Sequence, residues 1–168
     1  MRLLVEWVDS LNELFGKAVS WLFLALVASV SVDLLMRYFI GQGTDWAFDI
    51  NYMIYGTQFM LAGAYTMKYN AHVRVDVIYN KFSPRGRAVL EAIFLLVIFF
   101  PLCGFLLFSC WSDFVQAVGA REISIVSAWH PPVYHYKAVM PLAFVLLILQ
   151  GVAIFIRSLY TVAKRSEK

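Results

Sequence analysis

Four apolar runs, each long enough to cross a lipid bilayer, constrain this chain more than anything else in its sequence. They occupy residues 18–40, 46–67, 88–118 and 138–162. About 20 apolar residues in a helix match a ~30 Å hydrocarbon core, and a backbone crossing that core must satisfy its own hydrogen bonds. With 61% hydrophobic and 15% charged residues among 168, and a mean hydropathy of +0.71, the chain is too apolar for an ordinary soluble domain. The sequence therefore predicts an all-α integral membrane protein. It has four transmembrane helices, an N-terminal amphipathic interfacial helix over 1–17, and both termini in the cytoplasm.

Charge placement sets that orientation. Of 14 Lys and Arg residues, only Arg37, Arg121 and Lys137 fall on the proposed outer side. The other basic residues cluster at the ends of apolar runs on the inner side, as the positive-inside bias requires. They form no continuous stripe, so the net charge of +3 orients the chain in a membrane and implies no nucleic acid. The N-terminus lacks a short apolar core followed by a small-residue cleavage site, so the first run is expected to be retained as an anchor.

Along 1–17, Leu4, Val8, Leu11 and Phe15 recur at helical spacing while Glu6, Asp9 and Glu13 fall on other faces. Such a helix lies at the cytoplasmic interface, with Trp7 at headgroup level. Gly41, Gln42 and Gly43 break the chain after the first span. The second span opens with Asp45 and Asp49, where the helix dipole favours acids, and carries a small-residue packing face at Ala62, Gly63 and Ala64. A polar hinge over 68–87 follows. There His72, Arg74 and Asp76 alternate with valines and are expected to pin the hinge by hydrogen bonds and charge pairing. In the third span Pro101 predicts a kink, and residues 119–137 form a periplasmic segment rich in aromatics suited to an interface.

Polar residues inside the runs are the candidates for chemistry. Asp33 and Arg37 stand four apart with the acid first, the favourable order for a helical ion pair. A structural pair is the preferred reading over a proton or ion site. Gln58 and Gln150 lie within apolar sequence and should hydrogen-bond across helices, within this chain or to another subunit. His72, His130 and His135 sit outside span centres, which argues against a haem anchor and offers no metal ligand set. Cys103 and Cys110, seven residues apart on one helix face, are expected to be packing residues. No nucleophile, base and orienting acid come together, so no catalysis, cofactor or metal is expected.

The order of features resembles the small membrane subunit (DctQ-like, Q component) of tripartite ATP-independent periplasmic (TRAP) transporters. Arg37 and Tyr38, Trp46 and Asp49, then Gly63 and Ala64 carry the likeness through the first half. The most specific run is His72, Arg74, Val75, Asp76 and Tyr79, followed by Ser83, Pro84 and Arg85. Glu122, Ser124, Pro131, Lys137, Pro141, Gln150 and Gly151 extend it through the second half. One departure is Asp49, where the family often carries Glu.

The resemblance implies a scaffold in a sodium-driven organic-acid importer of the bacterial inner membrane. Its partners would be a large TRAP membrane subunit (M component), a periplasmic substrate-binding protein (P component) and membrane lipids. The periplasmic residues Arg121, Glu122, Trp129, His130, Tyr134 and Lys137 would then touch the binding protein or the large subunit. Asp33, Arg37, Asp49, Gln58, Gly63 and Gln150 would make subunit or helix contacts. A second reading is a self-contained four-helix proton-coupled exporter using Asp33. A third is a redox-enzyme anchor carrying haem or quinone.

Overall fold

The computed structural model describes residues 2–69 and 84–164, and every named element in it is helical. Helix α1 spans Arg2–Ile40 and α2 spans Ala47–Lys68. Helix α3, Pro84–Phe94, runs through a π-helical turn at Leu95–Phe99 into α4, Phe100–Gly119. A short turn of helix, α5, Tyr134–Lys137, precedes α6, Val139–Lys164. The hinge residues His72, Arg74 and Asp76 lie outside the described residues.

Three helical stretches among the described residues are long and apolar enough to cross a membrane: Val5–Ile40, Gly86–Gly119 and Tyr134–Tyr160. Helix α2 is long enough, but Asp49, Asn51, Gln58 and Lys68 leave it less apolar than the others. The four expected runs thus become three clear spans and one more polar helix.

Two boundaries differ from the sequence expectation. Helix α1 passes through residues 17 and 18 without a break, so the amphipathic segment and the first span form one rod. Gly16 stands beside that junction but is packed against the Tyr65 ring within the helix, no Pro follows to end it, and Lys17 pairs with Glu13 at 2.7 Å one turn earlier, which favours continuation. At Pro101 the disturbance takes the form of a wide turn. Proline has no N–H to give and its ring crowds the carbonyl four residues back, and the π-helical turn immediately before α4 accommodates both.

The core sits where α1, α2 and α6 meet. Val19 from α1, Leu61 and Ala64 from α2, and Ala143 and Leu146 from α6 are buried together, with Phe15, Leu22 and Met60 packed against them. Helix α6 is central, because α3 and α4 also pack on it. There Phe100 meets Phe155 edge-on at 6.2 Å.

Close approach is concentrated at particular glycines. A Cβ on Gly16 would overlap the Tyr65 ring, and one on Gly56 would overlap the Tyr136 hydroxyl. Gly63, expected to mark the packing face, would meet Leu147 only at ordinary contact distance. Its neighbour Ala64 provides the buried small side chain.

Candidate functional site

Polar side chains gather at the two ends of the bundle. At the first end, residues 120–133 fold into a small hairpin between α4 and α5. Ile123 and Pro132 form an antiparallel bridge, Ser124 N–H donates to Pro131 O at 2.8 Å, and Val133 N–H donates to Glu122 O at 2.9 Å. Helix α4 stops because Arg121 adopts a left-handed conformation (φ 47°). Glu122 N–H then reaches back to Ala117 O at 3.0 Å and Arg121 N–H to Val118 O at 3.2 Å, closing the helix end. Arg121, read as a docking side chain, thus also has a backbone role.

One carboxylate holds this hairpin to the bundle. Asp49, in the first turn of α2 and 3% exposed, accepts from Ser124 Oγ at 2.7 Å through Oδ1 and from Ser127 Oγ through Oδ2. His130 occupies a left-handed turn (φ 50°) and its Nδ1–H donates to Ser124 O at 2.8 Å. Lys137 Nζ pairs with Glu122 at 2.6 Å, tying the start of the hairpin to α5. Tyr134 packs its ring on His135, 4.0 Å between centroids. Trp129, Ile125 and Val126 remain exposed at the hairpin's surface.

The neighbouring α1–α2 turn has its own clasp. Asp33 Oδ2 accepts from Arg37 Nε at 2.7 Å, while Oδ1 accepts from both the backbone N–H and the hydroxyl of Thr44 at 2.8 Å. Asp33 is therefore occupied by groups of its own turn, an arrangement suited to fixing a helix hairpin rather than carrying a proton.

At the opposite end a polar network joins three helices. Gln150 of α6, fully buried, accepts from Asn12 Nδ2 at 2.6 Å and donates from Nε2 to Asp9 Oδ1 at 3.2 Å. Arg157 donates to Asp9 Oδ2. Lys68, at the end of α2, donates to the Asp9 carbonyl at 3.1 Å and pairs with Glu13 at 2.7 Å. Where α6 meets α3, Ser158 Oγ donates to Glu91 at 2.9 Å.

The structure thus brings Asp49, Glu122, His130 and Lys137 into one assembly and places Gln150 in another. Gln58 finds no place in either: its Oε1 is buried without a hydrogen-bond partner among the described residues.

Sequence reasoning misses Asp9, Asn12, Lys68, Ser127 and Arg157 as members of these assemblies. Helical spacing sets Asp9 and Glu13 away from the apolar stripe, yet Asp9 turns toward α6. The available signal is Asn12, which stands four residues after Val8 and three before Phe15 on the face that packs. Arg157 lies two turns beyond Gln150 on the same side of α6.

The family model for the DctQ component of tripartite ATP-independent periplasmic transporters matches residues 7–161, nearly the whole chain. The chain belongs to the DctQ family. No curated protein matches it. As a DctQ protein it is the small membrane component of a TRAP transporter. Both polar assemblies described above fall inside the matched residues. Their chemistry is that of clamps, hydroxyls on a carboxylate and amides on each other, binding helix to helix and loop to helix.

Proposed function

We propose that this DctQ chain is the static scaffold of a sodium-driven TRAP transporter that imports an organic acid across the bacterial inner membrane. In this reading α2 is a fourth span and both termini lie in the cytoplasm. The chain braces the large subunit, which carries out the movement. The hairpin between α4 and α5 faces the periplasm and helps to dock the substrate-binding protein through Arg121, Glu122, Trp129, His130, Tyr134 and Lys137. His72, Arg74 and Asp76 pin the cytoplasmic hinge.

The observation that carries the scaffold reading is the clamping of Asp49 by Ser124 and Ser127. A loop joined to its bundle through a buried carboxylate is ordered before any partner arrives, which lowers the entropy cost of docking. The polar network at the other end works in the same direction, since fixed helices give a moving subunit something to push against. The Asp33 exporter reading has no comparable support, because Asp33 is held by Arg37 and Thr44.

A mild-detergent purification of the tagged chain from its native host tests the proposal. The expected result is a larger multi-span membrane protein at equal stoichiometry. Recovery of the chain alone or as a homodimer, with transport by that preparation in liposomes, would overturn it.

A further inference from the structure

The hairpin between α4 and α5 carries an aliphatic tip that neither the Asp49 clamp nor the docking residues use. Ile125 is 87% exposed, and Ile123 and Val126 are exposed beside it in the sequence. Single apolar side chains are common on any surface, but a cluster without charge marks a contact. Residues 123–133 contain no Lys, Arg, Asp or Glu. The nearby charges, Arg121, Glu122 and Lys137, stand at the hairpin's base, where Lys137 pairs with Glu122.

The depth of the tip follows from the flanking spans and from the clamp. One span runs to Gly119 and the next begins at Tyr134, so the hairpin leaves and rejoins the membrane at its surface. The 27 residues of Tyr134–Tyr160 rise about 40 Å, the thickness of the hydrocarbon and headgroup layers together. The clamp then keeps the middle of the hairpin from standing away. Ser124 and Ser127 both donate to Asp49, in the first turn of α2. Ile125 and Val126 each adjoin one of these serines, and neighbouring Cα atoms are only about 3.8 Å apart. The aliphatic pair therefore stays near the level of that first turn. Phe48 and Tyr52, at the same end of α2, are exposed aromatics of the kind that mark a headgroup boundary.

The backbone of the tip is suited to leaving water. Val126 N–H donates to Ser124 Oγ and Trp129 N–H to Ser127 Oγ, each at 3.3 Å. Ser124 N–H donates to Pro131 O, and Ser124 O accepts from His130. The two serine hydroxyls thus receive the tip's own amides while they donate to Asp49. Polar groups paired in this way cost less to bring into a poorly hydrating layer.

We propose that the Ile125–Val126 tip is an interfacial lipid anchor, inserted among the headgroups and upper acyl chains of the leaflet at that end. The occupant is phospholipid: the tip offers apolar area without charge, at the surface where two spans end, and interfacial segments enter that layer by roughly 5–10 Å. The inference requires that α4 and α6 cross the membrane and does not depend on the scaffold reading. Ile125 and Val126 are not among the docking residues proposed above, so lipid and binding protein do not compete for them.

The test uses the full chain, expressed with its native transporter components and reconstituted in vesicles of phosphatidylethanolamine and phosphatidylglycerol. A fluorescent amino acid replaces Ile125 and, in a separate chain, Phe105, an exposed residue of α4 that serves as the lipid-facing reference. Phospholipid brominated high on its acyl chains should quench the probe at 125 at least roughly threefold more than iodide present on both sides of the bilayer. Stronger quenching by iodide, with position 105 reporting lipid, places the tip in water and overturns the inference. Weak quenching by both means that protein covers the tip, which overturns it equally. Absence of a large membrane protein from the preparation counts against the scaffold reading alone, because the tip is read in the same vesicles either way.

A second variant tests the side chain beside the probe. Val126→Asn adds no charge near Asp49 and should lower the ratio of lipid to iodide quenching at position 125 at least roughly threefold. An unchanged ratio would also overturn the inference.

Discussion

Gln150 and Asn12 show how much a single buried amide can decide. Both side chains are sealed from solvent, at 0% and 1% exposure, and each is the other's partner. Removing only one strands the other: Gln150→Leu leaves the Asn12 carboxamide and Asp9 short of a bond inside the bundle. It should therefore cost about 1–3 kcal/mol of stability. Asn12→Leu/Gln150→Leu removes both groups together and should cost less than the sum of the single changes, a non-additivity read by thermal unfolding in detergent. Strict additivity would mean that the two amides do not depend on each other. Gln150 is legible in the sequence because an amide within an apolar run demands a partner. Its actual partner is harder to read: Asn12 falls among the apolar positions of the packing face, but in a mixed-charge segment whose approach to α6 is set by tertiary packing. Only the continuation of α1 as one rod, which brings Asn12 against α6, makes it a core residue. The Asp33–Arg37 pair is legible for the opposite reason, since both partners lie one turn apart on one helix and only Thr44 has to come from beyond the turn.

Among the elements, the hairpin over residues 120–133 departs furthest from what local sequence suggests. Its composition reads as an aromatic interfacial loop, and nothing in its spacing discloses that Ser124 and Ser127 both aim at a carboxylate some 75 residues earlier. Serine is equally at home in a solvated turn, so the contact is a product of tertiary folding. Helix α2 supplies the anchor at its first turn, and the hairpin's own bridge between Ile123 and Pro132 sets the two serines beside it. Asp49→Ala should therefore loosen the hairpin while leaving the helices intact. The amides of Ser124 and Val133 should exchange with deuterium at least roughly tenfold faster, about 1.4 kcal/mol of lost protection, with little change along α6. Equal acceleration throughout the bundle would make Asp49 a general stability residue and remove its special place in the hairpin. The disturbance at Pro101 is readable from the residue alone, but the packing around its π-helical turn is not, because Phe99 and Phe100 lie over Gly151 of α6. A side chain at Gly151 would occupy that space.

For the molecule as a whole, the architecture turns on whether α2 crosses the membrane with the other long helices, and the contacts at its two ends favour crossing. At its start Asp49 is fastened to the hairpin that joins α4 to α5; at its finish Lys68 is fastened to Asp9 and Glu13 near the start of α1. Between those points Leu61 and Ala64 share a core with Val19 of α1 and with Ala143 and Leu146 of α6. Helix α2 therefore runs antiparallel to α1 along the same stretch of bundle, and its 22 residues rise about 33 Å, the thickness of the layer its neighbours are built to cross. Its charged residues do not forbid this, because Asp49 and Lys68 sit at the ends and are paired. Topology provides a clean discrimination. Four spans return the chain to the side from which it started, whereas three spans leave its ends on opposite sides. Fusing a reporter that is active only in the cytoplasm to either terminus, and a periplasm-dependent reporter to the hairpin at Ile125, should give activity at all three positions. Cytoplasmic activity at one terminus and periplasmic activity at the other would remove α2 from the spans.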